Sequence, residues 1–186
     1  MKETIREQIL YKRTKQSPED KAPKDQKIIE SIEALPQFQS AKNILLYIAV
    51  QGEVDLSKLI NKYSESKNII IPRINKPDSS LSLYHIKSLN DLKQGTYSIP
   101  EPKEGLEEMK PGKIEITLIP GVAFAPNGHR IGYGGGFFDR LLSKINCTKI
   151  GIAYQFQIVK NIQGEDHDQK VDIIVTETNV TNISNS

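Results

Sequence analysis

PGVAFAPNGHRIGYGGGFFDRLL, residues 120–142, is the most informative segment of this sequence. It follows a buried strand predicted at 114–119 and runs directly into an amphipathic helix predicted at 137–145. Four glycines leave backbone N–H groups accessible where the helix dipole is positive, a setting that suits phosphate oxygens: Gly132, Gly134, Gly135 and Gly136. Because open α/β sheets bind ligands at the carboxyl edge of their strands, the segment predicts an α/β fold with an anion site here.

The glycine pattern matches neither of the two common nucleotide-binding motifs. No Gly-Lys-Ser/Thr follows the glycines, and Phe137 occupies the place of the last glycine in G-x-G-x-x-G. On the glycines alone, a phosphate site and a loop that uses glycine for positive φ are equally supported. Arg130 can add a charge-assisted fork, and Asp139 can either cap the helix or hold Mg²⁺ against phosphates. Beside an arginine and four glycines, the magnesium role is at least as well supported as capping.

Hydrophobic periodicity divides the rest of the chain into two helices followed by alternating strands and helices. Helices are predicted at 1–16, 17–35, 54–63 and 137–145, and strands at 43–49, 68–71, 81–86, 114–119, 149–154 and 171–175. The alternation predicts a single α/β domain over residues 1–186, with one open, mainly parallel sheet and helices on both faces. Residues 95–112 are expected to form a loop over the sheet, and residues 178–186 a flexible tail.

Composition and charge argue against several classes of protein. Lys plus Arg total 25 and Asp plus Glu 23, a net charge of +2, and only five residues are arginine, so nucleic acid is a weak candidate partner. The longest apolar run, 44–50, is far shorter than the roughly 20 residues that cross a bilayer, and the first ten residues are too charged for a secretory signal. A single cysteine, Cys147, allows no internal disulfide. We expect a cytoplasmic monomer with no nucleic-acid or membrane partner.

Short motifs along nearly the whole chain resemble those of one enzyme family. In chain order they are Lys2-x-x-x-Arg6, Gln51-Gly52-Glu53, Ile71-Pro72-Arg73, Ser98-Ile99-Pro100-Glu101-Pro102, Pro120-Gly121-Val122-Ala123-Phe124, the glycine segment from Arg130 to Arg140, His167-Asp168, Val171-Asp172 and Val175-Thr176-Glu177. With these motifs the sequence resembles the 5-formyltetrahydrofolate cyclo-ligases, also called 5,10-methenyltetrahydrofolate synthetases. The glycine segment, between a strand and a helix, is the most specific of them.

The resemblance implies an ATP- and magnesium-dependent conversion of 5-formyltetrahydrofolate to 5,10-methenyltetrahydrofolate, with release of ADP and phosphate. A formamide carbonyl is a poor electrophile and its oxygen a poor leaving group, which explains the need for ATP. Attack of that oxygen on the γ-phosphate yields a phosphorylated imidate, which the neighbouring folate amine closes with loss of phosphate. The protein's part is to position two substrates and neutralise charge.

The resemblance also assigns roles to individual residues. ATP would be held by Lys2, Arg6, Arg130, Ile131, Gly132, Tyr133, Gly134, Gly135, Gly136, Phe137 and Phe138. Mg²⁺ would be held by Asp139 and Asp168. The folate would contact Ile48, Glu53, Tyr97, Tyr133 and Phe137, and the catalytic residues would be Glu53, Arg130 and Asp139.

Several of these residues have a simpler structural interpretation. Without the resemblance, capping of the helix predicted to begin near Val54 is the favoured role of Glu53. Lys2 and Arg6 fit ordinary surface positions on a frayed first helix, and Asp168 fits the cap of a turn. His167 fits a solvated loop residue.

The sequence also departs from the family pattern at three places. Tyr97 replaces the usual tryptophan, Phe137-Phe138 replaces Tyr-Tyr, and Ala125 stands where aspartate is common. Roles that depend on those two hydroxyl groups or on that carboxylate do not transfer to this chain. A non-catalytic nucleotide- or folate-binding module of the same fold is therefore the alternative to an enzyme. A sugar-phosphate enzyme of similar architecture is a third alternative, but it does not explain why Asp139 and Asp168 would form a metal pair.

Overall fold

The computed structural model describes residues 2–75, 77–78, 80–95 and 98–183. The α-helices in these ranges are α1 (Lys2–Thr14), α2 (Pro18–Ala34), α3 (Pro36–Ser40), α4 (Ser57–Tyr63) and α5 (Phe137–Leu142). The predicted start of α2 is confirmed, because the Ser17 hydroxyl accepts the N–H of Asp20 at 3.1 Å and proline occupies the first helical position. Nowhere in these ranges is a helix both long enough and apolar enough to cross a membrane.

Seven strands form the main sheet and four form two short hairpins within the same residues. The main sheet contains β1 (Asn43–Leu45), β2 (Asn68–Asn75), β3 (Ser80–Ile86), β6 (Ile116–Ile119), β9 (Thr148–Ile152), β10 (Ile173–Val175) and β11 (Val180–Asn182). The hairpins pair β4 (Leu92–Gln94) with β5 (Pro100–Pro102), and β7 (Ala123–Phe124) with β8 (Arg130–Ile131). In the main sheet the order is β11-β10-β9-β6-β1-β2-β3.

The central five strands are parallel, and an antiparallel strand closes each edge. Strand β10 pairs in parallel with β9, β9 with β6, β6 with β1 and β1 with β2. The antiparallel partners are β11 on β10 and β3 on β2. The prediction of an open, mainly parallel sheet is therefore confirmed.

Helices cover both faces of the sheet, as the continuous apolar runs predicted. Successive side chains of a strand point to opposite faces, so a strand buried on both sides is apolar at every position. In and after β1, Ile44 and Leu46 pack with residues of α2, α3 and α4, whereas Leu45 packs with Leu141 of α5 and Ile145. The side chains of Ile44, Leu45 and Leu46 are all fully buried.

The chain order creates a crevice between β1 and β6. From β1 the chain passes through α4 to β2 on one side, whereas β6 lies on the other side of β1 and leads on to β9 and β10. Parallel neighbours whose connections leave in opposite directions open a crevice at their carboxyl ends. The segment after β1 and the segment after β6 both begin there.

Two segments are more ordered than the sequence analysis expects. The prediction of a flexible tail is wrong for Val180–Asn182, which form the edge strand β11. Thr176 makes the preceding turn, because its Oγ1 accepts the N–H groups of Thr178 at 3.3 Å and Asn179 at 3.0 Å. The polar residues that resemble a tail are turn residues, since side-chain hydroxyls stabilise turns.

The predicted loop at 95–112 is also partly wrong. Pro100–Pro102 forms β5 and pairs with β4. Proline has no N–H to donate, which confines it in sheets to edges of this kind and hides such a strand from sequence patterns.

A buried carboxylate joins α2 to the carboxyl end of the sheet. Asp25 accepts the Tyr154 hydroxyl at 2.5 Å and the Lys21 ammonium at 2.5 Å. It also accepts the backbone N–H of Asp55 at 3.3 Å. Tyr154 follows β9 and is fully buried, and burial raises its pKa well above the usual tyrosine value. These bonds orient α2 against the crevice.

We expect Tyr154→Phe to lower the free energy of unfolding by about 1.5–3 kcal/mol, because it removes a hydrogen bond to a charged group that stays buried. Urea unfolding followed by circular dichroism measures the change. Tyr11→Phe is the matched control, since the Tyr11 side chain is exposed. Equal stability of the two variants would contradict a role for Asp25 and Tyr154 in anchoring α2.

Candidate active site

The glycine segment turns sharply between β8 and α5. Gly134 and Gly136 have φ values of +99° and +63°, and Gly136 is the N-cap of α5. Arg140 of α5 reaches back and donates from Nη2 to the Gly135 carbonyl at 2.8 Å. The interpretation of glycine as a source of positive φ is confirmed at these two positions. A Cβ at Gly132 or Gly134 would meet nothing within 4 Å, so this side of the loop is open.

Arg130 and Asp139 meet beside the loop. Arg130 Nη2 donates to Asp139 Oδ1 at 3.0 Å, and its Nη1 donates to the Gln169 carbonyl at 2.7 Å. The Gln169 N–H donates to the same Asp139 oxygen at 3.0 Å. Burial lowers the pKa of Arg130, and the charge of Asp139 opposes that shift. Asp139 lies in the first turn of α5, where its carboxylate opposes the helix dipole.

Lys2 and Asp168 are brought together by the packing of α1 against the segment before β10. Lys2 Nζ lies 2.8 Å from Glu165 Oε1 and 3.3 Å from Asp168 Oδ2. Asp168 Oδ2 also accepts the Glu165 N–H at 2.9 Å, so the turn-cap interpretation of Asp168 is confirmed. Burial raises the pKa of Asp168, but the Glu165 N–H and the Lys2 ammonium outweigh it and the pKa is lowered. His167 is exposed, as expected of a loop residue.

Arg6 attaches α1 to the glycine loop. Its Nε donates to the Gly132 carbonyl at 3.0 Å, and its Nη1 pairs with Glu3. Arg6 is therefore not an ordinary surface residue, whereas the Lys2 side chain stays 37% exposed. Both lie against the segments that contain the predicted ATP and metal residues.

Glu53 is oriented by a tight turn after β1. The Glu53 N–H donates to the Val50 carbonyl at 3.0 Å, and Val50 N–H donates to Glu53 Oε2 at 3.0 Å. Gln51 and Gly52 in the middle of the turn have φ values of 48° and 75°. Positive φ at both central residues is the property of a type I′ turn and favours glycine. The turn holds the Glu53 carboxylate in a buried position.

The helix-cap interpretation of Glu53 is wrong. Helix α4 begins at Ser57, three residues later than the predicted start. Asp55 accepts the Ser57 N–H at 2.9 Å and fills the place that sequence reasoning assigned to Glu53.

A second cluster joins Glu53 to the glycine loop. The Tyr133 hydroxyl donates to Glu53 Oε1 at 2.7 Å and accepts from Arg13 Nη1 at 2.5 Å. Arg13 Nη1 lies 4.0 Å from Glu53 Oε1. Burial raises the pKa of Glu53, against the opposing effects of the Val50 N–H, Tyr133, Arg13 and Lys21. Burial also raises the pKa of Tyr133, so its hydroxyl keeps its proton.

Sequence reasoning missed Arg13. It follows Ile9 by four residues and Arg6 by seven, so the three share one helix face. That face is buried at Ile9 and Arg13. The sequence did contain a signal for Arg13, namely an arginine on the same helix face as a buried apolar residue.

A cavity of about 270 Å³ lies beside this cluster. Its wall consists of Lys21, Ile48, Ala49, Val50, Gln51, Gly52, Glu53 and Asp55, so two of the predicted folate residues, Ile48 and Glu53, line it. A larger cavity of about 560 Å³, lined by Ser64–Asn68, His85 and Lys87, contains none of the predicted site residues. It lies where β2 begins, at the end of the strand remote from the crevice.

The remaining predicted residues differ in their access to a ligand. Phe137 packs over Gly135, where a Cβ would lie 2.4 Å from the ring. Phe138 is partly buried against two core clusters and Ile131 is buried, which favours contact with ATP through their backbones. Tyr97 lies outside the described residues. Among those described, no group of three or more His, Cys, Asp or Glu side chains is placed to hold a metal ion.

Comparisons with known proteins identify a family. The model of the 5-formyltetrahydrofolate cyclo-ligase family matches residues 1–177. A 5-formyltetrahydrofolate cyclo-ligase of Haemophilus influenzae is 33% identical over 159 residues, covering 81% of this chain and 84% of its own. A probable 5-formyltetrahydrofolate cyclo-ligase of Caenorhabditis elegans is 30% identical, covering 82% and 79%.

Solved structures are similar over the whole fold. The 5,10-methenyltetrahydrofolate synthetase of Aquifex aeolicus superposes with a TM-score of 0.89 at 35% identity, covering 100% of this chain and 94% of that one. The synthetase of Mycoplasma pneumoniae has a TM-score of 0.77 at 26% identity, covering 95% and 98%. Sequence and fold thus agree, and the chain belongs to the 5-formyltetrahydrofolate cyclo-ligase family.

Proposed function

We propose that this chain performs the family's reaction in the crevice between β1 and β6, with ATP against the glycine loop and the folate in the cavity beside Glu53. The reaction converts 5-formyltetrahydrofolate to 5,10-methenyltetrahydrofolate and is ATP-dependent. The hydrogen bond of 2.7 Å from Tyr133 to Glu53 carries the proposal, because it joins the predicted ATP loop to the predicted folate wall. Two substrates that must exchange a phosphoryl group need such adjoining sites.

The chemistry requires both substrates at one place. The formyl oxygen attacks the γ-phosphorus, so an O–P bond forms and the bond from that phosphorus to ADP breaks. The neighbouring folate amine then attacks the activated formyl carbon, a C–N bond forms, the amine loses its proton and the C–O bond breaks with release of phosphate. Positive charge develops on the new ring, which a nearby carboxylate stabilises.

On the ATP side, we assign the phosphates to the open face of the glycine loop. The loop's backbone, Lys2 and Arg6 supply donors and positive charge there. Arg130 is already paired with Asp139 and with the Gln169 carbonyl. We therefore assign it two roles: it orients the Asp139 carboxylate, and it adds positive charge beside the phosphates. Phe138 contributes mainly its backbone, because its partly buried ring packs against the core.

Two carboxylates fit the Mg²⁺ that the family resemblance implies. Asp139 and Asp168 are connected through Gln169, the residue after Asp168, whose N–H donates to Asp139 Oδ1. Mg²⁺ in phosphoryl-transfer sites is usually held by one or two carboxylates, with substrate phosphates and waters completing its shell. When bound, the ion neutralises phosphate charge. Lys2, which pairs with Asp168, adds a further positive charge at the same place.

On the folate side, Glu53 and Ile48 supply complementary surfaces. Ile48 offers an apolar wall to the pterin, and Glu53 offers the carboxylate that faces the developing cation. Tyr133 and Phe137 extend this wall from the glycine loop, and Tyr97 would add another aromatic face. We further propose that the chain acts as a cytoplasmic monomer on these two small molecules, without nucleic-acid or membrane partners.

The near-ultraviolet absorbance of the conjugated methenyl product provides the first test. We expect it to appear when protein, ATP, Mg²⁺ and 5-formyltetrahydrofolate are all present, and to be absent when any one is omitted. Folded protein that binds both ligands but gives no signal would contradict the enzyme assignment and favour the non-catalytic binding module.

Asp139→Asn should lower kcat/KM by roughly 100-fold or more, because it removes a negative charge from the proposed metal site while keeping the side-chain shape. Turnover measured across a Mg²⁺ titration, with thermal unfolding to check folding, tests this. Asp166→Asn is the control, since Asp166 is exposed in the same segment as Asp168. Unchanged turnover in Asp139→Asn would remove Asp139 from the metal site.

Lys2→Met should raise the KM for ATP by roughly tenfold and change the KM for the folate little, because the ammonium is assigned to the nucleotide side. Steady-state kinetics with each substrate varied in turn separates the two constants. Lys12→Met on the exposed face of α1 serves as control. A rise in the KM for the folate alone would contradict the assignment of Lys2 to the nucleotide side.

A further inference from the structure

Arg13 is a buried cation that the proposed chemistry does not use. Its side chain is 1% exposed, and its guanidinium donates to the Tyr133 hydroxyl and to the Gly121 carbonyl. A buried charge is costly unless it is paired, and Glu53, at 4.0 Å, carries the opposite charge. Arg13 thus connects α1 with three segments of the crevice, those of Glu53, Gly121 and Tyr133.

Only one assignment of donors and acceptors is possible in this cluster. Arginine only donates, so the Tyr133 oxygen accepts from Arg13 and its proton points to Glu53. Glu53 Oε1 then accepts from Tyr133 while Oε2 accepts from Val50 N–H. Two donors and a cation therefore favour the charged carboxylate and hold both of its oxygens in place.

Fold stability alone does not explain an arginine here. The Gly121 carbonyl is also satisfied by Gln157 Nε2 at 2.9 Å, and α1 is already packed through Ile9. Replacing a buried ion pair by apolar side chains of similar volume is often neutral or stabilising. A buried charge 4.0 Å from Glu53, which lines the proposed folate cavity, has a better explanation in function.

We infer that Arg13 is a positioning residue: through Tyr133 it holds the Glu53 carboxylate in the orientation that the folate requires. This inference rests on the role proposed above for Glu53. Arg6 and Arg13 lie on one face of α1 and hold successive residues of the glycine loop, Gly132 through its carbonyl and Tyr133 through its hydroxyl. Helix α1 thereby links the nucleotide side of the crevice to the folate side.

The test measures kinetics of Arg13→Met, Arg13→Lys and Tyr133→Phe, with Lys12→Met as control. Arg13→Met and Tyr133→Phe should each lower kcat/KM for 5-formyltetrahydrofolate by roughly tenfold or more, while the KM for ATP changes by less than about threefold. Arg13→Lys should recover part of the loss, because it keeps the charge and one donor in reach. Lys12→Met should match the parent protein, since Lys12 is exposed.

Coupling to Glu53 separates positioning from a purely structural role. The double variant Arg13→Met/Glu53→Gln should be no slower than Glu53→Gln alone, since Arg13 acts through the carboxylate. Independent, multiplying losses would overturn the inference while leaving the role of Glu53 intact. Full activity of Glu53→Gln would overturn both. If Arg13→Met does not fold, the double variant Tyr133→Phe/Glu53→Gln supplies the same comparison.

A pH profile of kcat/KM for the folate gives a second readout. The titratable and charged groups around Glu53 come from four segments: Arg13 of α1, Lys21 of α2, Tyr133 of the glycine loop and Tyr47 after β1. Glu53 acts as a carboxylate, so activity falls as pH drops through its pKa. Without Arg13 that pKa is higher, and the fall should begin at a higher pH than in the parent protein. An unshifted acid limb in a folded Arg13→Met variant would contradict the inference.

Discussion

The parallel pairing of β1 with β6 is the constraint on which the rest of the molecule depends. Parallel strands all begin at one edge of the sheet and end at the other, so the segments after β1 and β6 both start at the carboxyl edge, side by side. Because β1 also pairs with β2 while β6 continues toward β9, the two segments diverge and leave a crevice. The turn that carries Glu53 and the segment that leads to the glycine loop are the two sides of that crevice.

Buried charge in the crevice is satisfied in linked sets. Arg130 shares Asp139 with the backbone of Gln169, and Asp25 is shared by Lys21 and Tyr154. Each set joins elements that are far apart in sequence. The charged groups are therefore compensated for their loss of hydration only when the complete fold brings these elements together. The same contacts that hold the crevice together also orient the side chains of Arg130 and Asp139.

Helix α1 has an unusual place in this arrangement. It lies outside the sheet, yet its buried face reaches the Asp168 turn through Lys2, the glycine loop through Arg6 and the Glu53 turn through Arg13. A single helix thus contacts both proposed substrate sites, the glycine loop through Arg6 and the Glu53 cluster through Arg13. The family motif Lys2-x-x-x-Arg6 covers only the first half of this contact surface.

Local patterns in the sequence determined the parallel sheet, the start of α2, the glycine turn and the residues that resemble the family. Periodicity, capping residues and glycine act over a few positions, so they can be interpreted without the fold. Only the tertiary structure decided that Glu53 does not cap α4, that Val180–Asn182 form an edge strand and that Arg13 belongs to the site. Glu53 and Arg13 depend on partners distant in the chain, Tyr133 and Gly121, which no pattern confined to neighbouring residues specifies. The edge strand depends on β10, whose own place in the sheet is set by its pairing with the distant β9.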